Sequence, residues 1–287
     1  MKKAALVLEG GGNRGVFTAG VLDVLMEEQI FLPYVVGVSA GSCNAVDYVS
    51  RQPLRTKNCM IPEDGEAGNR LTVREMIRQR SLFDMDRLFA EYPYHQYPFD
   101  FETFFASQEQ MRCEIVLTSC RTGEAVYAQE FEDPDRLMKL CRASCSLPLV
   151  APIVTVDGEP YLDGGIADSI PVRRVLREGY KKCVVVTTRP YGYRKETSPL
   201  MLRLCRIQYG RKYPAFVKAF ADRARVYNKT MELIERLEAK GHILVLRPET
   251  PVISKAETDQ EKLLSFYEHG REVTARRLDE LKAYLGV

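Results

Sequence analysis

The sequence contains no tryptophan and only three histidines, His95, His242 and His269. Histidine is the usual general base beside a nucleophilic serine or cysteine, so these positions are its only candidates. No apolar run approaches the roughly 20 residues that a membrane span requires. The apolar run that follows the first three residues already ends at Glu9, which is too early for a signal peptide. We therefore expect a cytoplasmic protein.

The spacing of the cysteines argues against a metal site. The eight cysteines form no C-x-x-C pair, and without an export signal we expect reduced thiols. Cys141 and Cys145 lie four positions apart on a predicted helix, but no histidine or acidic ligand set accompanies them. Buried small side chains are the favoured interpretation of this pair. We predict no metal and no cofactor.

The distribution of apolar residues predicts the fold class. Apolar runs predict buried strands at 4–8, 34–38, 115–119, 184–188 and 243–246, and helical patterns cover 16–28, 214–240 and 257–285. Strands that alternate with helices predict an α/β fold with helices on both faces of a mainly parallel sheet. We expect one domain over residues 1–287, with residues 250–287 as a C-terminal helical extension.

Residues 51–110 interrupt this alternation and carry nine aromatic residues between Phe83 and Phe105. We expect an insertion over the active site. Two interpretations remain open: the segment is a lid or acyl-chain pocket, or its rings form a small core of their own.

Gly37-Val38-Ser39-Ala40-Gly41 directly follows a predicted strand and precedes a helical pattern. The G-x-S-x-G spacing is that of a nucleophile elbow, in which a serine stands on a strained turn. The flanking glycines avoid clashes that side chains would cause there. Ser39 is the candidate nucleophile, with Gly37 and Gly41 in support.

A second glycine-rich turn, from Gly10 to Gly15, also follows a strand and opens a helix. Amides at the start of a helix lack intrahelical partners and can face a negative oxygen, as an oxyanion hole requires. The same residues are a literal G-x-G-x-x-G match, so a dinucleotide-binding Rossmann protein that uses Gly10, Gly12 and Gly15 is an alternative. The second strand ends in the serine elbow without the acidic residue that a Rossmann site requires, which favours the oxyanion interpretation.

The general base is open between two classes. In an α/β-hydrolase triad it would be a histidine on a loop beyond a late strand. His242 instead precedes a predicted strand, His269 falls in a helical pattern and His95 lies in the insertion. Asp163, followed by Gly164 and Gly165, is the other candidate, although Asp-Gly is also a common hairpin turn.

Four stretches together resemble, in order, the motifs of the patatin-like phospholipase family of the bacterial, cytoplasmic type. They are the glycine-rich turn, the elbow, residues 143–148, and the D-G-G turn with Ile170-Pro171 downstream. The resemblance runs from Leu6 to about Pro248. It implies a three-layer α/β/α fold and hydrolysis of lipid acyl esters, as a phospholipase A, lysophospholipase or carboxylesterase.

The resemblance also implies the roles of individual residues. Ser39 and Asp163 would form a catalytic dyad that works through an acyl-enzyme intermediate. The amides around Gly11, Gly12 and Asn13 would form the oxyanion hole, and the supporting motif residues would be Gly10, Arg14, Gly15, Gly37, Gly41, Gly164 and Gly165. Ser169 departs from the family pattern, because many members have Asn there. For Arg14, which lies inside the glycine-rich turn, its residue type favours pairing with a carboxylate at the start of the helix, and the alternative is that it fixes the loop or helps to hold a lipid headgroup phosphate.

Basic charge is concentrated at residues 189–229, where eleven Lys or Arg face only Glu196 and Asp222 within a chain of net charge +2. Seven aromatic residues are interleaved with them. The pattern suits peripheral contact with an anionic inner-membrane surface, whereas a solvated helix whose aromatics point inward is the alternative. We expect no nucleic-acid partner.

A non-catalytic lipid-binding protein with the same fold is a third possibility that the intact Ser39 and Asp163 disfavour.

Overall fold

Eight strands form one mixed sheet in the computed structural model, which describes residues 4–62, 81 and 83–287. They are β1 (Ala4–Leu8), β2 (Tyr34–Val38), β3 (Arg112–Ser119), β4 (Ala125–Ala128), β5 (Val154–Val156), β6 (Glu159–Asp163), β7 (Lys182–Val186) and β8 (Leu244–Leu246). Their order is β5-β6-β3-β2-β1-β7-β8, and β4 also pairs with β3. The five strands from β3 to β8 in this order are parallel, and the pairings of β4, β5 and β6 are antiparallel.

The helices of the described residues connect and flank these strands. They are α1 (Gly15–Glu27), α2 (Ala40–Val49), α3 (Arg55–Met60), α4 (Arg87–Gln96, wound in the π form), α5 (Phe101–Ser107), α6 (Pro134–Cys145), α7 (Val172–Arg177), α8 (Pro199–Tyr209), α9 (Pro214–Ala239), α10 (Gln260–Arg276) and α11 (Leu278–Leu285). Among the described helices, none is both long and apolar enough to cross a lipid bilayer.

Side chains that alternate along β1 explain why helices cover both faces of the sheet. In β1, Leu6 and Leu8 belong to the core shared with α1, α2 and α10, whereas Ala5 and Val7 belong to the core shared with α7 and α9. Successive residues of a strand point to opposite faces, so a fully apolar strand must be covered on both. The predicted α/β fold with helices on both faces of a mainly parallel sheet is confirmed.

Helix α10 is joined closely to this core. A Cβ added at Gly20 of α1 would lie 2.2 Å from the Tyr267 carbonyl, and one added at Gly270 of α10 would lie 2.2 Å from the Phe17 carbonyl. The two helices therefore touch along their backbones, which only glycine permits at these positions. The helix predicted for 257–285 is divided by Arg277 into α10 and α11.

Strand register brings together two distant parts of the chain. Val38, the last residue of β2, pairs with Val116 of β3, and the next residue of β3, Leu117, pairs with Asp163 at the end of β6. Ser39 follows Val38 directly. Strand β3 thus holds Ser39 and Asp163 at the same edge of the sheet.

Candidate active site

Ser39 occupies the turn between β2 and α2 with φ 55° and ψ −128°, a backbone conformation that L-residues rarely adopt. The two glycines of the elbow make this turn fit. A Cβ at Gly37 would lie 2.2 Å from the Gly41 carbonyl, and a Cβ at Gly41 would lie 2.6 Å from the Leu8 carbonyl. The strained turn is typical of a residue that is held for function.

Ser144 holds the elbow from α6. Its hydroxyl accepts a hydrogen bond of 2.9 Å from the Ser39 amide and donates one of 2.7 Å to the Val116 carbonyl. Ser144 is fully buried, so both bonds are shielded from water. Ser144 is not among the residues that the sequence motifs indicate. A serine within a helix has no distinctive local pattern, so its position in the stretch 143–148 is the sequence feature that points to it.

Asp163 lies at the end of β6 with 1% of its surface exposed. Its Oδ1 accepts a 2.7 Å hydrogen bond from the Gly165 amide. Its Oδ2 is buried and accepts no fully formed hydrogen bond from the described residues. The Ser39 hydroxyl nevertheless lies near enough to the carboxyl group to lower its pKa.

Burial controls the ionisation of Asp163. Desolvation is the largest effect and raises the pKa of this carboxyl above its ordinary value, while Arg223, the Ser39 hydroxyl and the Gly165 amide act in the opposite direction. A carboxylate with a raised pKa is a stronger base than an exposed aspartate.

The turn that carries Asp163 is supported from outside. Ser169 donates a 2.7 Å hydrogen bond to the Gly165 carbonyl, and the Arg223 Nε donates another of 2.7 Å to the same oxygen. Although Ser169 departs from the family pattern, its hydroxyl makes a hydrogen bond to the turn.

The glycine-rich turn packs directly on the elbow, because a Cβ at Gly10 would lie 2.9 Å from the Ser39 Cβ. Of the three amides predicted for the oxyanion hole, that of Asn13 donates a 3.0 Å hydrogen bond to the Lys255 carbonyl. The amides of Gly11 and Gly12 donate to no other described residue. In this conformation the two glycine amides are therefore the available donors.

No histidine lines the cavities beside Ser39, and all three histidines lie within the described residues. His95 is exposed on α4, and His242 precedes β8. His269 is buried on α10, where its Nε2 accepts a 2.9 Å hydrogen bond from the Glu249 amide. Among the described residues, Asp163 lines a cavity that Ser39 also lines, whereas none of the histidines does.

Ser39 lies where two cavities of opposite character meet. One, of about 110 Å³, is lined mainly by apolar side chains, which include Met60, Phe83, Met85, Leu88, Phe89 and Met138. The other, of about 280 Å³, contains Asp163 and several basic side chains. The described part of segment 51–110 supplies much of the apolar lining, and the partly buried Cys43 and Cys145 also border it.

Arg14 lies on the wall of the polar cavity and is 9% exposed. Burial, and secondly the neighbouring Arg189, lowers the pKa of its guanidinium to about 10. It forms no ion pair with any described carboxylate, and its Nε is buried without a hydrogen-bond partner there. The carboxylate pairing considered for Arg14 is not seen within the described residues.

Comparison with known proteins identifies relatives along most of the chain. A family model described as patatin-like phospholipase matches residues 6–176, and another, described as a domain of unknown function (DUF6363), matches residues 213–286. The uncharacterized protein YjjU of Escherichia coli (strain K12) is 30% identical over 88% of this chain and 71% of its own length.

More distant relatives are longer proteins. The lysophospholipase NTE1 of Yarrowia lipolytica is 24% identical over 96% of this chain, which spans 19% of that protein. Patatin-like phospholipase domain-containing protein 2 of Rattus norvegicus is 28% identical over 66% of this chain and 38% of its own length. The crystal structure of VipD from Legionella pneumophila matches 97% of this chain and 67% of that one, with a TM-score of 0.50 and 13% identity, which supports the fold.

Proposed function

The chain belongs to the patatin-like phospholipase family, which supports lipid ester hydrolysis, and from this premise we propose that it cleaves acyl esters through a Ser39–Asp163 dyad. The observation that carries the proposal is that the Ser39 hydroxyl interacts with the buried carboxyl group of Asp163, whose Oδ2 has no hydrogen-bond partner among the described residues. A serine hydroxyl needs such a base to become a nucleophile.

In the proposed cycle, Asp163 accepts the proton of Ser39 as the hydroxyl oxygen attacks the ester carbonyl. The amides of Gly11 and Gly12 then stabilise the tetrahedral oxyanion, and loss of one such donor typically costs about 10²- to 10³-fold in rate. Asp163 returns the proton to the leaving alcohol. The acyl-enzyme is hydrolysed by a water that the same carboxylate activates.

The two cavities suggest how a lipid is oriented. The acyl chain would enter the apolar cavity formed in part by α3 and α4, and the alcohol portion would face the polar cavity that contains Asp163. The scissile ester would then lie at Ser39, where the cavities meet. In this proposal, the described residues of segment 51–110 form one wall of the acyl pocket.

We treat residues 1–287 as one hydrolase domain, with residues 250–287 as its C-terminal helical extension. The support is the close packing of α10 on α1 and the pairing of β8 with β7. The segment matched as a domain of unknown function would then be part of the same catalytic unit.

Peripheral membrane contact is proposed for the basic segment 189–229, with α8 as the contacting element. Four of its seven aromatic residues, Tyr209, Tyr213, Phe216 and Tyr227, are buried, so they contribute to the core. Leu200, Leu204 and Ile207 are instead 65%, 41% and 72% exposed on α8, at a spacing that aligns them on one helix face. Apolar residues flanked by arginine suit an anionic bilayer surface.

Labelling with a fluorophosphonate probe tests the nucleophile. We expect stoichiometric labelling of the wild-type protein at Ser39 and none of Ser39→Ala. Hydrolysis of a panel of phospholipids, lysophospholipids and triacylglycerols, with Ser39→Ala as blank, tests the reaction class. Equal turnover by the two proteins would refute the proposal.

A further inference from the structure

The polar cavity beside Ser39 carries an unusual concentration of positive charge. Its lining includes five basic side chains, those of Arg14, Arg189, Lys195, Arg223 and Lys255. None of the five forms an ion pair with a carboxylate among the described residues. Elsewhere in the described structure, by contrast, buried or half-buried arginines such as Arg55 are paired with acids.

The three acidic residues of the cavity, Glu9, Glu196 and Asp163, offset only part of the charge of the five basic ones. Glu9 is buried and already accepts hydrogen bonds from the Thr188 amide, at 2.6 Å, and from the Tyr227 hydroxyl, at 2.9 Å. Glu196 is exposed at the rim, and Asp163 is the proposed base. The cavity therefore has an excess of cationic groups that are held apart from their ordinary partners.

The cations are held in place by neutral groups. The Lys195 ammonium lies 4.0 Å from the centre of the Tyr227 ring, and the Arg189 guanidinium lies 4.3 Å from the centre of the Tyr193 ring. Arg223 is anchored through its Nε to the Gly165 carbonyl. Such contacts position a cation without cancelling its charge, so donors remain for a ligand.

The proximity of these groups has an electrostatic cost in the absence of an anion. Burial, and secondly Arg223, lowers the pKa of Lys195 well below its usual range. The same two causes, in the same order, lower the pKa of Lys255. The attraction of an anion bound among these groups would offset their mutual repulsion and favour the charged form of both lysines.

We propose that this cavity is a phosphate-binding subsite in which Lys195, Arg223 and Lys255 contact the phosphoryl oxygens of an anionic lipid headgroup. The inference rests on the proposed hydrolase function for the position of the substrate, but not for the binding of phosphate. A phosphate monoester carries roughly −1.5 to −2 charges and three acceptor oxygens, which suits several convergent cations. A neutral glycerol headgroup would leave them unpaired.

The subsite also assigns a role to the C-terminal part of the chain. The family model for the hydrolase ends at residue 176, whereas Arg223 and Lys255 lie in the region matched as a domain of unknown function. Helix α9 carries Arg223, and the segment between β8 and α10 carries Lys255. In this proposal, that region selects the headgroup while the N-terminal region performs the chemistry.

Direct binding tests the subsite without relying on catalysis. Glycerol 3-phosphate and inorganic phosphate are titrated calorimetrically into the Ser39→Ala protein, with sodium chloride at matched ionic strength as the blank. We expect saturable binding of both phosphates, weakened about tenfold or more when Lys255→Gln or Lys195→Gln is added. Adding Arg236→Gln removes an exposed charge of α9 that lies outside the cavity and should leave binding unchanged.

Kinetics test whether the phosphate belongs to a lipid. Three substrates with the same acyl chain are compared: lysophosphatidic acid, lysophosphatidylcholine and monoacylglycerol. We expect the wild type to favour lysophosphatidic acid over monoacylglycerol about tenfold or more in kcat/KM, and Lys255→Gln to lower this ratio mainly through KM. Arg223→Lys, which keeps the charge, should retain more of the preference than Arg223→Gln.

The outcomes separate the two proposals. Phosphate binding without ester hydrolysis would support the subsite and refute the hydrolase. Phosphate binding with hydrolysis but without headgroup preference would show that the subsite binds a free phosphate ester, and would overturn its assignment to a lipid headgroup. Hydrolysis accompanied by neither saturable phosphate binding nor a charge-dependent preference would overturn the subsite and leave the hydrolase intact.

Discussion

The backbone amide of Asn13 donates a hydrogen bond of 3.0 Å to the carbonyl of Lys255. The Asn13 side chain adds a second bond, of 2.6 Å, to the Glu257 carbonyl. The chain between β8 and α10 therefore lies directly against the glycine-rich turn. Because this turn carries the proposed oxyanion donors, its geometry depends on a segment that is remote in sequence.

Gly12→Ala tests this dependence. Gly12 has φ +58°, and a Cβ there would lie 2.5 Å from the Lys255 carbonyl, so the substitution must displace one segment from the other. We expect kcat for p-nitrophenyl butyrate to fall about 10²-fold, as for loss of an oxyanion donor. Gly158→Ala is the matched control, because Gly158 has φ +79° but nothing within 4 Å of the added Cβ. Both variants should lose about 1–2 kcal/mol of stability from backbone strain. A fully active Gly12→Ala would contradict the oxyanion assignment.

The dyad itself predicts a contrast between carboxylate and imidazole. Ser39→Ala and Asp163→Asn should each lower kcat by about 10³-fold or more, since each removes a group that acts on the reacting atoms. His95→Ala, His242→Ala and His269→Ala should retain most of the activity per folded molecule, because none borders the cavities at Ser39. Circular dichroism controls for folding. A folded histidine variant without activity would favour a triad.

Asp163→Asn should also stabilise the protein at neutral pH. Burial raises the pKa of Asp163 above 3.8 in the folded state, so the folded protein binds this proton more tightly than the unfolded chain. The contribution of Asp163 to the free energy of unfolding is therefore fully present below its pKa in the unfolded chain. It is lost as pH rises through its pKa in the folded protein. Asparagine has no charge to desolvate. In urea unfolding, the gain in the free energy of unfolding of Asp163→Asn over wild type should therefore be larger at pH 8 than at pH 4.

Asp157 provides a control of opposite sign. Hydrogen bonding from Arg136 lowers the pKa of this exposed carboxylate below 3.8, so its contribution to stability is present above the unfolded pKa and lost on acidification. Relative to wild type, the stability of Asp157→Asn should therefore fall as pH rises from 3 to 8, whatever offset asparagine brings at φ 52°. If Asp163→Asn behaved like Asp157→Asn, the raised pKa of Asp163 would be wrong.

For activity, the acid limb of the kcat/KM profile should lie above the pKa of an ordinary aspartate.

Ser144→Ala removes the hydroxyl that links the Ser39 amide to the Val116 carbonyl. We expect a loss of about 1–3 kcal/mol in the free energy of unfolding, because two buried groups lose their partner. We also expect kcat to fall about tenfold, since the strained elbow loses its support. Ser146→Ala is matched in burial but removes only a bond to the Arg142 carbonyl. It should lower stability without a comparable effect on kcat; equal effects on kcat would argue against support of the elbow by Ser144.

Contiguous patterns explain which features could be predicted from the sequence. The elbow around Ser39 is specified by its neighbours Gly37 and Gly41, and the strands before it by uninterrupted apolar runs, so local chemistry suffices for both. Arg223 and Lys255 are different. They reach the cavity only because α9 and the segment after β8 return to the carboxyl edge of the sheet. Nothing in the local sequence of a lysine or arginine indicates that it is unpaired and partly buried.

Segment 189–229 illustrates the same limit. Charge and aromatic content were visible in the sequence, but burial divides the segment. Tyr209 and Tyr227 face the core, whereas Leu200 and Ile207 face outward. Because sequence position does not reveal which side of a short helix is covered, the proposed contact surface could be assigned to α8 only from the structure.

Membrane contact through α8 predicts that its exposed apolar face is needed for binding to anionic bilayers. The double variant Leu200→Ser, Ile207→Ser removes two side chains that are 65% and 72% exposed, so the fold should tolerate it. Their transfer into the interface is worth on the order of 1 kcal/mol each or more, so binding to phosphatidylglycerol vesicles in a sedimentation assay should weaken about tenfold or more. Leu264→Ser, which alters an exposed leucine on α10, is the control and should bind like the wild type. Added salt should weaken binding of the wild type, because exposed arginines flank the apolar face. Unchanged binding by the double variant would exclude α8 as the contacting element.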